Sequence, residues 1–200
     1  MVDFIIFGLG NPGANYAKSR HSAGRLVVDF WAKEKNFSDW VLNKKRQSLE
    51  SKGTVGHGLK KKEILLVKPE TFMNKSGQAV GSYVNGCAAG KKILVIYDDI
   101  DLPLGVVRFS FGRSAGGHRG LDSIIKTLKT KDFARLRLGV SPRTPTGKIK
   151  KPSADKVMNF VINDFKSVEE KILKKVLSQA VEAGLSWVEN GLEKAMNFYN

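Results

Sequence analysis

Three short polar clusters hold the side chains best suited to chemistry. Asn11 and His21 stand in GLGNPGANYAKSRH, Thr71-Phe72-Met73-Asn74 follows Lys68-Pro69, and Asp98-Asp99 follows LVIY. A neutral imidazole takes a proton from water near neutral pH. A carboxylate on its other nitrogen fixes the tautomer and stabilises the imidazolium. Amide side chains can hold the attacking water, grip a carbonyl and stabilise an oxyanion. A lone histidine is more often structural than catalytic, but three clusters at strand ends or beside glycines strengthen the functional reading. The chemistry that fits His21, Asp98, Asn11 and Asn74 is direct attack by an activated water on an acyl bond. No Ser–His pairing in the sequence suggests a covalent serine. His21, His57 and His118 show no HExxH spacing, and no metal site is expected. The single cysteine, Cys87, allows neither an intramolecular disulfide nor a Cys-based zinc site; in YVNGCAAG it reads as packing at a helix end.

Two glycine-rich strings need separate weighing. Gly8-Leu9-Gly10-Asn11-Pro12-Gly13 matches G-x-G-x-x-G after an apolar run, the dinucleotide-binding pattern. Its context is wrong: residues 14–20 lack the apolar periodicity of a helix, and EILLVKP ends in lysine and proline where a ribose-binding acid belongs. A tight turn presenting Asn11 explains the glycines equally well. The second string, GRSAGGHRG at 112–120, is a loop whose backbone can approach a ligand. It opens a helix, whose N-terminus favours anions.

These groups need a scaffold. Apolar runs and amphipathic stretches alternate along all 200 residues, without an internal repeat or low-complexity linker, which predicts one α/β domain over 1–200. DFIIF (3–7), EILLVKP (63–69) and KKILVIYDD (91–99) read as buried strands; VVRFSF (106–111) and ARLRLGV (134–140) alternate as half-exposed strands do. Short strands are also expected around 53–58. Helices are expected from near Ser22, over 76–85, and around Leu121, Ile124, Ile125 and Leu128. A last helix has Ser167 and Glu170 as a capping box. Ile172, Leu173, Val176, Leu177, Ala180, Val181, Leu185 and Val188 form its buried face, and Gly191 is its αL terminator. Residues 141–154 carry three prolines, four basic residues and no acid; they read as a mobile basic lid or as a solvated connection.

Composition bounds the partner. Hydrophobic content of 42% and charged content of 26% are those of a globular protein. Lys and Arg number 34 against 19 Asp and Glu, a net charge of +15. Such an excess attracts polyanions, whether nucleic acid, anionic membrane or an acidic protein, although a solubility-driven surface is the bland alternative. No apolar run reaches the roughly 18 residues that span a bilayer. The start, MVDFIIFGLGN, reads as a strand rather than a signal peptide, and the chain is expected in the cytoplasm.

Together GLGNPGANYAKSRHSAG (8–24), VKPETFMNKSG (67–77), YDDIDLPLGVVRF (97–109), GGHRGL (116–121) and FARLRLGV (133–140) resemble the bacterial peptidyl-tRNA hydrolase family, in family order and spacing. The resemblance implies a twisted mixed β-sheet flanked by helices in three α/β/α layers, a monomer, no cofactor, and hydrolysis of the ester between a peptide and the tRNA 3′ ribose. It implies His21 as general base, Asp98 as its orienting carboxylate, and Asn11 and Asn74 as holders of the peptide–tRNA junction and the water. Tyr16, Phe72, Met73 and Gly117 are implied around the substrate, and Arg137 at the tRNA 5′-phosphate. The partner so implied is the acceptor stem and 3′ CCA end of peptidyl-tRNA. Arg135, Arg108, Arg113 and the lysines of 148–151 are further phosphate candidates on charge alone.

The chain departs from the family pattern at three places. Arg119 stands where the family commonly has Asn in GGHNGL; Arg cannot accept a hydrogen bond and is permanently charged. It suits a phosphate or a substrate carbonyl, or else a catalytically silent RNA-binding homologue. Ser22 replaces the Asn of HNAG and is expected to cap the following helix. Ser110 stands where a lysine is often found, and strand alternation puts Arg108 on the same face as a substitute.

Overall fold

The apolar runs pair into one seven-stranded sheet. The computed structural model describes residues 2–56, 58–84, 92–144 and 146–200; His57 and Cys87, with the packing expected of it, lie outside them. The strands are β1 (Phe4–Gly8), β2 (Val41–Asn43), β3 (Ser48–Val55), β4 (Lys62–Pro69), β5 (Ile93–Pro103), β6 (Val107–Ser110) and β7 (Ala134–Ser141). Their order is β2-β3-β4-β1-β5-β7-β6. The centre β4-β1-β5-β7 is parallel, and β2, β3 and β6 add antiparallel margins.

Both faces are covered, which is why Ile64–Val67 of β4, β1 and Ile93–Tyr97 of β5 are continuous apolar runs, while β7 carries Arg135 and Arg137. Successive residues of β1 enter different cores: Ile6 packs with Trp31, Val181 and Trp187, and Phe7 with Val80, Leu121 and Ile124. The first core lies under α1 (Ala23–Glu34), α5 (Glu170–Asn190) and α6 (Leu192–Tyr199); the second lies under α2 (Ser76–Gly81) and α3 (Arg119–Leu128). A further short helix, α4 (Val157–Ile162), precedes α5. The expected mixed α/β/α architecture is therefore present.

The differences lie where side-chain pattern is weak. β3 runs eight residues from Ser48, longer than the expected strands at 53–58, because full antiparallel pairing with β4 holds a mostly polar sequence. β2, α4 and α6 are additions to the expected elements. α2 ends at Gly81 rather than near 85. The capping box before α5 is shifted by one residue: the Glu169 carboxylate, not Glu170, accepts a backbone N–H, that of Lys166, at 2.7 Å. Ile172 is 43% exposed and does not belong to the buried face of α5, while Trp187 does. Gly191 has the expected positive φ of 83°, but with ψ at 171° it is not the αL conformation. Among the described residues of 141–154, Arg143 bridges Ile149 in antiparallel fashion, and Lys151 pairs with Asp101 at 2.6 Å. The exposed margin of β6 is covered by the Asn200 side chain, which exchanges two hydrogen bonds with the Phe109 backbone.

Candidate active site

The loop leaving β1 must turn sharply under α1, and its glycines are set by that contact. A Cβ on Gly8 would lie 2.4 Å from the Gly24 carbonyl oxygen. Between this loop and α1 the chain forms two single 3-10 turns, Ala14–Tyr16 and Arg20–Ser22, rather than the helix of a dinucleotide site. The glycine pattern is thus accounted for by close packing of α1 on β1. Ser22 does not cap α1; its hydroxyl receives the Ser19 hydroxyl at 3.2 Å.

The second 3-10 turn presents His21 to the carboxyl end of β5. His21 Nδ1 lies 2.9 Å from Asp98 Oδ1 and 3.1 Å from Oδ2. His118 Nε2 is 3.1 Å from the same Oδ1, and its ring centroid lies 5.0 Å from that of His21. His118 is the N-cap of α3, and its Nδ1 accepts the Leu121 backbone N–H at 3.2 Å. That fixes its tautomer: Nδ1 carries the lone pair, so Nε2–H donates to Asp98. The Tyr97 ring meets His118 edge-on at 4.9 Å and holds the ring from the other side. With Asp98 accepting from His21 Nδ1–H as well, the His21 Nε2 lone pair is left for a substrate.

Electrostatics agree with this geometry. Burial alone would push the His21 imidazolium down; the Asp98 charge and hydrogen bond outweigh it and raise the group above its ordinary value, while the Arg119 charge works against them. Burial opposes the Asp98 charge, yet the two imidazoles hold its carboxyl well below the ordinary carboxylate range. Donor atoms of His21, Asp98 and His118 lie within 4.8 Å of one another, close enough to surround a cation, a grouping that HExxH spacing cannot reveal. Hydrogen bonding already satisfies the carboxylate between its two imidazoles.

His21 borders a cavity of about 890 Å³. Its walls include Asp98, Asp99, His118 and the exposed glycine loop with Gly117; Val157, Met158 and Val161 of α4 close one side. Of residues 141–154, Ala154 alone among those described reaches it. Arg108 and Arg137 face each other across the β6–β7 pair. Arg137 is held by Asp99 at 2.7 Å, and Arg108 is exposed and has no ion pair among the described residues. Arg119 is also exposed and borders both this cavity and a second groove of about 360 Å³ that includes Asn74, Lys75 and Gln78.

The three polar clusters therefore meet, though not identically. Asn11 Oδ1 accepts the Met73 backbone N–H at 2.9 Å, joining the first cluster to the second. Its amide NH₂ is left to donate. Of the two expected apolar contacts, Met73 is 4% exposed and packs in the second core, whereas Phe72 is 56% exposed. Tyr16 is half-buried and lies outside the walls of both cavities. Arg135 is a correction: it is fully buried, donates to the carbonyls of Ser114 and Lys131, and cannot reach a phosphate.

Two residues of the site escape a reading of the sequence. His118 in GGHRGL invites only the question of metal ligation. Arg20, beside His21, is 3% exposed; it donates to the carbonyls of Asn163 and Asp164, pairs with Glu169 at 2.6 Å and stacks on Phe160 and Phe165. It ties the His21 turn to the α4 wall. Its hydrogen-bond partners lie more than 140 positions away, beyond any local signal.

A three-layer α/β/α protein with a hydrogen-bonded His–Asp–His cluster at a parallel strand end has the make-up of a hydrolytic enzyme. The family model described as peptidyl-tRNA hydrolase matches residues 5–200. The peptidyl-tRNA hydrolase of Thermodesulfovibrio yellowstonii is 38% identical over 98% of both chains. That of Synechococcus elongatus is 41% identical over 98% of this chain and 91% of its own. The crystal structure of the Acinetobacter baumannii peptidyl-tRNA hydrolase superposes with a TM-score of 0.84 at 28% identity, covering all of this chain and 96% of that one. A peptidyl-tRNA hydrolase complexed with N-propanol gives the same TM-score at 30% identity, covering 98% of this chain and 94% of that one. The chain belongs to the peptidyl-tRNA hydrolase family.

Proposed function

We propose that this protein hydrolyses the ester bond of peptidyl-tRNA and N-blocked aminoacyl-tRNA with a water activated by His21, freeing tRNA from stalled translation. The observation that carries the mechanism is the doubly bonded Asp98 carboxylate, which leaves His21 Nε2 as the free base. Nε2 takes a proton from water, and the oxygen of that water bonds to the ester carbonyl carbon. The carbon–oxygen bond to the ribose then breaks, and the ribose oxygen leaves with the proton held on Nε2. Asp98 stabilises the imidazolium between the two transfers. The Asn11 amide NH₂ and Asn74 suit the carbonyl and the developing oxyanion. Arg108 and Arg137 suit the phosphates of the acceptor stem and 3′ CCA end, and the +15 charge suits the rest of the tRNA. No described helix is long and apolar enough to cross a membrane; the proposed setting is the cytoplasm, with the protein acting as a monomer without a cofactor.

The test is incubation with an N-blocked aminoacyl-tRNA and its unblocked counterpart, reading release of free tRNA. Selective cleavage of the blocked substrate is expected. Binding without cleavage of either would replace this reading with a silent RNA-binding homologue, and Arg119→Asn would be the next variant.

A further inference from the structure

The mouth of the large cavity carries a feature that ester hydrolysis does not use. Among the described residues, Phe111 and Met158 are the two large apolar side chains left exposed, at 41% and 37%, that border this cavity. Phe111 directly follows β6 and Met158 lies on α4, so they come to the cavity from separate elements. Arg108 and Arg113, both exposed and free of ion pairs among the described residues, border the same cavity as Phe111. An exposed aromatic ring that shares a cavity with guanidinium groups is the composition that binds single-stranded nucleic acid: the charges track the backbone, and the ring stacks on a base of any sequence.

We propose that Phe111 is a stacking platform for an unpaired nucleobase of the tRNA 3′ end, with Met158 on α4 as the facing apolar wall. The proposal rests on peptidyl-tRNA being the substrate. The unpaired 3′ end is the part of the tRNA joined to the ester, so a base next to the reacting ribose must lie near the cavity that His21 borders. Neither Phe111 nor Met158 offers a group that could move a proton or polarise a carbonyl. Their contribution is therefore to binding.

Three variants, Phe111→Ala, Phe111→Leu and Phe111→Trp, separate stacking from simple bulk. For N-blocked aminoacyl-tRNA, Ala and Leu are expected to raise KM by about 5- to 100-fold, the range of losses for one base–aromatic stack, with kcat changed less than about 2-fold. Trp should keep the wild-type KM. Phe111→Trp should also show fluorescence quenching on titration with the trinucleotide CCA that the wild type, with Trp31, Trp40 and Trp187 alone, does not show. A wild-type KM in Phe111→Leu, together with no trinucleotide-dependent signal in Phe111→Trp, would overturn the proposal. So would a Phe111→Leu effect that follows the acyl side chain rather than the nucleotide, since the ring would then be docking peptide. Failure of the hydrolase reading is a separate result: the wild type itself would not cleave the substrate.

Discussion

His21, Asp98 and His118 are each held by another group, whereas Arg108, Arg113 and Arg119, around the same cavity, carry no ion pair among the described residues. The inner side chains are hydrogen-bonded and at most 9% exposed; the three arginines are open to solvent. The difference comes from what each region has to recognise. A proton transfer requires one geometry, and a base that must first find its tautomer loses rate. A polyanion presents many phosphates, and mobile charges in high dielectric attract it without a fixed partner. Arg137 stands between the two regimes: its guanidinium is aimed by Asp99 yet faces Arg108 across the sheet. Like charges directly opposite are destabilising, so Asp99 offsets a cost that a bound phosphate would also relieve.

The strongest way to break the contrast is to empty its inner half. His21→Ala is expected to lower kcat by about 10²–10⁴-fold while tRNA affinity, measured in a binding titration, stays within about 2-fold. Equal losses in both would mean that the inner cluster also binds tRNA. Asp98→Asn comes next, with an expected loss of about 10²-fold, the low end of what general-base catalysis contributes, because an amide can present either group to His21 Nδ1. The sign of its pH effect is fixed. Asp98 raises the His21 value, so removing it lowers that value, and the acid limb of kcat/KM should move to lower pH.

Arg20 tests whether holding extends beyond the three side chains. Its own side chain is 4% exposed and that of Glu169 is 11%. Arg20→Met leaves the Glu169 charge without its partner, and urea unfolding should show a loss of about 3–5 kcal/mol, as for broken buried pairs. Arg20→Met with Glu169→Met should recover part of it; no recovery would mean that the stacking on Phe160 and Phe165 matters more than charge. At the rim the expected effect is smaller and of another kind. Arg108→Ala should leave kcat unchanged and reduce the salt slope of log KM by about one phosphate's share.

Legibility in the sequence divides along the same line. The parallel strands and α1 are legible because apolar runs and helical spacing are local. His21, Asp98, Asn11 and Asn74 are legible because they stand at the ends of those runs or beside glycines. β3 is only partly so, since a sequence such as SLESKGTV becomes a strand through β4 rather than through its own pattern. The support of the site is the least legible part. Glu169 meets Arg20 across the whole fold, His118 acquires its role from capping α3, and the burial of Arg135 depends on carbonyls at Ser114 and Lys131. A basic residue in an alternating strand reads the same whether it faces a phosphate or a carbonyl.

Arg119 is where the two regions touch, and its replacement gives the finest test. Exposed at the first turn of α3, it borders both the cavity and the Asn74 groove, and its charge opposes protonation of His21. The imidazole must be neutral to accept a proton from water, so a neighbouring cation keeps the base available at lower pH. Arg119→Asn removes that cation and should raise the His21 value further, moving the acid limb of kcat/KM to higher pH. At alkaline pH, where His21 is neutral in both proteins, the rates should converge if the Arg119 charge acts only through the base. A gap that persists there in Arg119→Asn, and that is absent in Arg119→Lys, would instead make the cation a direct contact to the substrate.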